Sequence, residues 1–465
     1  MRQWIGRRLL PCLLAVAIPG AANAQRAIKS SPPSVLLISV DGMRPDYVTE
    51  AAKHGLHLPV LEQMMHKGWY AEGVVAVTPT LTFPGHATLV TGVSPKEHGI
   101  FNNVRFSATQ RNKDVWFWYA SDLKSRTLWD AAKDAGLTTA SAFWPETVNN
   151  DHIDYLLPAY PVRIREDNQL MEALSRPLGF LRRVEEQTGP FYIFGATPAF
   201  DEQLTRISLA MIQSGKPKFM TLHLVSLDHA EHSSGPFSAT SLESITAIDG
   251  MIGRLRNAML ANDPHAIVVV ASDHGFAKTH TSVNLLVPFV QQGLITLKNS
   301  NGSSPIITDW KATLWEAGGS AYVRVKDPTD HQLVQHVAAV LNRLMHNPAL
   351  GIARVLTHDE IVSRGGDPDS SFLVEWRPGF SFGGALTGAL TREIPGTGTH
   401  GYLPDRPEMY ASFFAIGNAV TPHCDLGIID MRQIAPTIAS WLKVDMPTAE
   451  KRPLQCPADG SASKP

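Results

Sequence analysis

The chain has 465 residues, 44% hydrophobic and 18% charged, which excludes a wholly disordered polymer and leaves enough apolar chain for a sizeable core. Its 41 Lys and Arg against 43 Asp and Glu give a formal net charge of −2, with no basic excess to indicate nucleic acid as the main partner. Three cysteines are too few for a disulfide-rich scaffold.

Residues 1–24 read as an export signal: Arg2, Arg7 and Arg8, then the apolar run Leu9 to Ile18, then Ala22-Asn23-Ala24. The run is too short to span a bilayer, and no later stretch reaches that length, so the expected location is periplasmic or secreted with no membrane span after signal removal. Removal takes away three Arg, no acid and Cys12, leaving 38 basic and 43 acidic residues, net −5. Cys424 and Cys456 remain, and pairing is expected in an oxidising compartment. Residues 25–33 and 457–465 are small, polar and Pro-rich and read as flexible ends.

Within 34–456 a single catalytic domain is expected. Val35 to Val40 is a near-continuous apolar run that ends at Asp41-Gly42, as suits a strand covered on both faces. Leu128 to Ala135 has helical spacing with Gly136 as its stop. The stretch 145–215 is rich in Pro and Gly and reads as a cap insertion. A second strand, Phe219 to Val225, runs towards Asp228, and helical spacing follows through Leu242, Ile245, Ile248, Ile252, Leu255 and Met259. A third strand, Ala266 to Ala271, runs into Asp273-His274-Gly275. The stretch 285–395 reads as another cap insertion, and Ser412 to Ile416 is a fourth strand. Alternating strands and helices predict an α/β fold, whose ligands collect at the carboxyl ends of the strands.

Acids and imidazoles gather at those ends. Asp228 and His232, four residues apart, share one face of a helical turn. Asp273-His274 follows a strand, Asp41 ends another, and His400 sits in the flexible Gly398-Thr399-His400-Gly401. Three Asp and three His suit zinc or a similar divalent ion. Thr82 lies at the expected start of a short helix after Pro79. It is either an N-cap or, beside a bound cation, an activated nucleophile.

Thr82-Phe83-Pro84-Gly85-His86, followed by Thr91-Gly92, His98-Gly99-Ile100 and Asn103, resembles the nucleotide pyrophosphatase/phosphodiesterase family of the alkaline phosphatase superfamily. The remaining motifs fall in the family's order: Val40-Asp41-Gly42, Asp228-x3-His232, Ser272-Asp273-His274-Gly275 and Thr399-His400-Gly401. Phe143-Trp144-Pro145 is also similar to a family motif, but Glu146 stands where the family has Gly.

The resemblance implies an alkaline phosphatase-like, mostly parallel central sheet with helices on both faces and a cap built from insertions. It implies two Zn²⁺, one held by Asp228, His232 and His400, the other by Asp41, Asp273 and His274 together with the Thr82 nucleophile. Asn103 and the backbone N–H near Phe83 would contact a phosphoryl oxygen. Phe83 would stack on a nucleobase, with Tyr155 or Tyr160 as the opposite wall. The implied activity is hydrolysis of a small-molecule phosphodiester or nucleotide through a phosphothreonine, with no nucleic-acid-binding module. The sequence leaves open a phosphomonoesterase or phosphonate hydrolase, for which Arg163 and Arg165 would be suitable cations, and a non-catalytic binding module. Trp116 to Tyr119 read as core packing or as a substrate mouth. His86 and His223 read as packing or as supports behind the site. Nothing in the sequence specifies an oligomeric state.

Overall fold

Val35–Val40 is buried along its whole length, and alternate residues go to opposite faces. Leu36, Ile38 and Val40 join a core with Met211, Ile245, Ile252 and Leu255. Val35 and Leu37 join a second core with Leu89, Leu128, Ile434 and Ile438. The described residues of the computed structural model are Met1, 31–109, 115–160, 168–191, 195–300, 303–420 and 423–456. Nearly all of the expected export segment, Arg163, Arg165 and residues 457–465 lie outside them.

The elements that position the site are, in chain order, β1 (Val35–Val40), α1 (Pro59–Lys67), β2 (Trp69–Tyr70), α2 (Thr82–Thr91), α3 (Leu128–Asp134), β3 (Thr139–Ala142), β4 (Tyr155–Leu157), α4 (Pro198–Gly215), β5 (Phe219–Leu224), α5 (Ser226–Ser234), α6 (Ala239–Asn262), β6 (Ile267–Ala271), β7 (Phe413–Ile416), β8 (Cys424–Asp425) and α7 (Ile434–Leu442). The strands form one eight-stranded sheet in the order β8-β2-β7-β6-β1-β5-β3-β4. β7 runs antiparallel to both neighbours, while the other recorded pairings are parallel. Helices α1, α4 and α6 contribute to one core, and α2, α3 and α7 to the other. The fold is α/β with a mostly parallel central sheet.

The four expected strands and the expected helices are present, with ends shifted by a few residues. Thr127 and Asp130 cap the start of α3 reciprocally, and Ser238 caps α6. Cys424, on an edge strand, is bonded to Cys456, tying the last described segment to the sheet.

The stretch 145–215 differs from a cap. β4 is the edge strand of the main sheet, and α4 packs Phe200, Leu204, Ile207, Met211 and Ile212 into its core. The stretch 285–395 builds a second, four-stranded antiparallel sheet from Ala312–Ala317, Ser320–Val325, Phe372–Trp376 and Ile352–Thr357. The helix His331–Met345 packs against it through Val337, Val340 and Leu341.

Glu146 is fully buried at φ +52°, a left-handed conformation natural to glycine. Neither carboxylate oxygen has a hydrogen-bond donor among the described residues. Burial pushes its pKa well above the carboxylate range, and the charge of Asp122 adds to this. The folded state therefore holds a proton that the unfolded chain has released, and stability falls as pH rises above the ordinary glutamate range. Glu146→Gly is expected to raise stability at neutral pH by about 1–3 kcal/mol and to flatten that slope. Denaturant titrations of both proteins from acid to neutral pH check it; equal slopes would refute the account.

Candidate active site

The central strands converge on one place because β1, β5 and β6 are paired side by side, Val35 facing both Phe219 and Ile267. Asp41 follows β1. Asp228 and His232 lie on α5, which follows β5. Asp273 and His274 follow β6. His400 follows the strand Thr391–Thr399, which is paired to Ala277–Val283 just beyond His274.

Two triads result. Asp41, Asp273 and His274 offer ligand atoms within 4.8 Å of one another, and so do Asp228, His232 and His400. The His274 and His400 rings stack at 3.7 Å with planes 7° apart, so the triads adjoin. A side chain at Gly85 would place its Cβ 2.8 Å from Asp273 Cβ; glycine there lets α2 pack against the Asp273 loop.

Each ligand histidine is oriented by a main-chain carbonyl. His400 Nδ1 donates to Thr80 O (2.9 Å), His274 Nδ1 to Gly275 O (3.1 Å) and His232 Nδ1 to Gly398 O (3.3 Å). A carbonyl only accepts, so each ring carries its proton on Nδ1 and turns the Nε2 lone pair inwards. Those lone pairs meet carboxylates: His274 Nε2 is 3.3 Å from Asp41 Oδ1 and 3.2 Å from Asp273 Oδ2, and His232 Nε2 is 3.4 Å from Asp228 Oδ1. The same three oxygens have no hydrogen-bond donor among the described residues. Lone pairs pointed at buried carboxylate oxygens repel unless cations lie between them. The residues therefore fit divalent ions, and the mixed N/O donor set fits zinc or a similar metal.

The electrostatics agree. Burial, followed by the charges of Asp273 and Asp228, pushes the Asp41 pKa well up. Burial lowers His274 and His400, so their rings are held neutral, the form that coordinates metal.

Thr82 is the first residue of α2, and Leu81 occupies the cap position. Its hydroxyl is not spent on capping and lies 3.5 Å from His274 Nε2. The Phe83 N–H donates to Asn103 Oδ1 at 2.9 Å, so it is engaged rather than open to a phosphoryl oxygen. That bond fixes the amide orientation and leaves Asn103 Nδ2 as the available donor.

His223 and His86 stand behind the first triad. His223 Nε2 is 3.0 Å from Asp41 Oδ2, and its Nδ1 is 3.2 Å from Phe143 O. His86 Nδ1 is 2.8 Å from Thr82 O and 3.4 Å from Asp273 Oδ2. Outer partners of this kind orient metal carboxylates. His223→Leu is expected to weaken metal retention by about 10–100-fold, with His223→Gln less affected. Competition against a chelator measures it, and unchanged retention in the Leu variant would remove His223 from the site.

The expected aromatic sites separate. Phe83 is only 4% exposed and is covered by Trp116 and Trp118. Tyr160 reaches the same cluster through Trp118. Tyr155 does not: it begins β4 opposite Ala140, the second residue of β3, and packs on Phe180 and against Gly215. That is the amino end of the strand, while the ligands gather at carboxyl ends. Sequence reasoning did not place Leu314, Trp315 and Glu316 at the site, yet they line a pocket of about 350 Å³ with Asn103, His232 and His400. Their signal was hidden in an insertion with weak periodicity.

Comparison with known proteins accords with this geometry. A sequence model described as type I phosphodiesterase/nucleotide pyrophosphatase matches residues 35–402. The chain is 27% identical over 255 residues to human ectonucleotide pyrophosphatase/phosphodiesterase family member 1, covering 52% of this chain and 23% of that protein. It is 26% identical over 280 residues to human bis(5'-adenosyl)-triphosphatase ENPP4, covering 57% and 53%. The matching region thus spans between about a quarter and about half of these relatives. The fold is similar to that of murine ectonucleotide pyrophosphatase/phosphodiesterase 5, with a TM-score of 0.63 at 18% identity over 91% of this chain and 97% of that one.

Proposed function

Because the chain belongs to the type I phosphodiesterase/nucleotide pyrophosphatase family of the alkaline phosphatase superfamily, we propose that it is an exported two-zinc phosphodiesterase cleaving phosphodiester or phosphoanhydride bonds, with nucleotides as the substrate class. The family's chemistry is hydrolytic and metal-dependent. One observation carries the finer reading: three imidazoles anchored through Nδ1 face three donorless carboxylate oxygens beside the uncapped Thr82 hydroxyl.

Asp41, Asp273 and His274 would hold one ion and Asp228, His232 and His400 the other, and the pair would supply positive charge for an attacking and a leaving oxygen. Asn103 Nδ2 donates to a non-bridging phosphoryl oxygen. The amino end of α2 places its positive dipole end at Thr82 and favours the developing alkoxide. Thr82 Oγ1 gives up its proton and attacks phosphorus, the bond to the leaving oxygen breaks, that oxygen takes up a proton as it departs, and a phosphothreonine forms. Water then attacks the same phosphorus, the P–Oγ1 bond breaks, and the phosphate product leaves with the Thr82 hydroxyl restored.

Export is supported by the basic–apolar–small pattern of residues 1–24 and by the Cys424–Cys456 bond, which suits an oxidising compartment. No helix among the described residues is long and apolar enough to cross a membrane. The test is turnover of bis-p-nitrophenyl phosphate, p-nitrophenyl thymidine monophosphate, p-nitrophenyl phosphate and phosphonoacetate by the metal-loaded enzyme. The diesters are expected to exceed the monoester in kcat/KM by about tenfold or more. A dominant monoester or phosphonoacetate activity would replace this reading.

A further inference from the structure

We propose that Trp116, and not Phe83, is the aromatic surface on which the substrate's planar group stacks. The proposal rests on the phosphoryl-transfer reading of the site and names what lies beside the phosphorus.

Phe83 has no face to offer. Its ring meets Trp116 at 5.1 Å and Trp118 edge-on at 5.6 Å, and Ala87, Ile100 and Phe117 complete its buried cluster. A planar ligand could reach Phe83 only by displacing two tryptophans that also stack on each other at 5.4 Å, with planes 19° apart. Tyr160 braces the far side of this stack at 5.7 Å from Trp118.

Trp116 is placed differently. It is half-buried and lines the 350 Å³ pocket together with Asn103, His232 and His400. The pocket therefore touches the phosphoryl contact and the second triad at once, and its size suits a small ligand. Leu314 and Glu316 line it as well. The platform is rigid because its backbone is laddered to the segment that carries Asn103. Val104 and Trp116 are antiparallel bridge partners, Arg105 N donates to Val115 O (2.7 Å), and Phe117 N donates to Asn103 O (3.4 Å). Arg105, which also lines the pocket, is engaged by Asp122 and lies over Phe117 at 4.7 Å, and Trp315, the pocket's other indole, is buried with Arg324 over its ring, which leaves Trp116 as the more exposed indole. A π-face accepts many planar groups, which makes the expected substrates phosphate esters that carry an aromatic group, nucleobases included, rather than one particular base.

The test compares wild type, Trp116→Ala and Trp116→Phe, each loaded with metal. Inhibition by AMP and by orthophosphate is measured against whichever ester the enzyme turns over. KM is also measured for p-nitrophenyl and ethyl esters of the same phosphate. If the stacked group is the nucleobase, Trp116→Ala weakens AMP by about tenfold or more, moves orthophosphate by less than about twofold, and Trp116→Phe recovers most of the loss. If the stacked group is the departing one, the same pattern appears in the p-nitrophenyl KM and not in the ethyl KM. Equal losses for AMP and orthophosphate would reduce Trp116 to scaffolding. Tighter AMP binding by Trp116→Ala would make Trp116 a cover over Phe83. Unchanged AMP inhibition and aryl KM would also overturn the proposal. An enzyme active only on monoesters would sink the diesterase reading alone, because the AMP comparison runs equally well on p-nitrophenyl phosphate.

Discussion

Thr82→Ala is expected to lower turnover of every phosphate ester by roughly 10⁴-fold or more, as loss of a covalent nucleophile does elsewhere, while metal content and fold stay intact. The Thr82 hydroxyl is not a structural cap, since Leu81 holds that position, and its one recorded polar contact is His274 Nε2 at 3.5 Å. Truncation should therefore cost little stability. Rapid-quench detection of phosphothreonine in wild type and its absence in the variant test the covalent step directly. A variant retaining more than about a hundredth of wild-type turnover would point to direct attack by water. Full retention of AMP binding alongside lost turnover would separate an enzyme from a binding module.

Asp41→Asn is expected to act in opposite directions on function and on the metal-free fold. The loaded variant should lose one ion per chain and about 10³-fold in turnover, because a charged ligand of the first triad is gone. After chelation the variant should melt at a higher temperature than wild type. Asp41 is buried beside Asp273 and Asp228, and both burial and those charges push its pKa up. Ionisation of Asp41 thus opposes folding, and metal-free wild type should lose stability as pH rises above the ordinary aspartate range. An amide of the same shape has nothing to ionise there. Metal analysis and melting curves with and without chelator check both halves. Unchanged metal content would remove Asp41 from the ligand set, and an equal or lower melting temperature after chelation would refute the repulsion argument.

Much of the scaffold was legible because strands covered on both faces are apolar almost throughout, as Ile267–Ala271 is and as Val35–Val40 is but for Ser39. The residues that follow such strands are then marked by their polarity, as with Asp41 and Asp273-His274. The helix α4 was missed because it emerges from a Pro- and Gly-rich stretch that reads as an insertion, although five of its apolar residues face the core. Of the two tyrosines the resemblance offered, Tyr155 begins an edge strand and packs on Phe180, and no local pattern says which end of a strand a side chain occupies. The burial of Phe83 was equally hidden: it depends on pairing between residues 103–105 and 115–117, and no local pattern announces that ladder. The carbonyl partners of the three histidines come from Thr80, Gly275 and Gly398, two of them far along the chain, and backbone groups leave no signature in side-chain spelling.

The level pairing of β1 with β5 and β6 has a further consequence. Asp41, Asp273 and the helix bearing Asp228 are set at matching heights only because those strands share one register. A slip of one residue would turn each side chain to the other face and carry a carboxylate more than 3 Å along its strand, beyond the tolerance of any coordination bond. Metal retention is thus a ruler for the alignment of the sheet. Substitutions in the middle of β1, far from the chemistry, should reveal misalignment as leaking metal before they reveal it as unfolding.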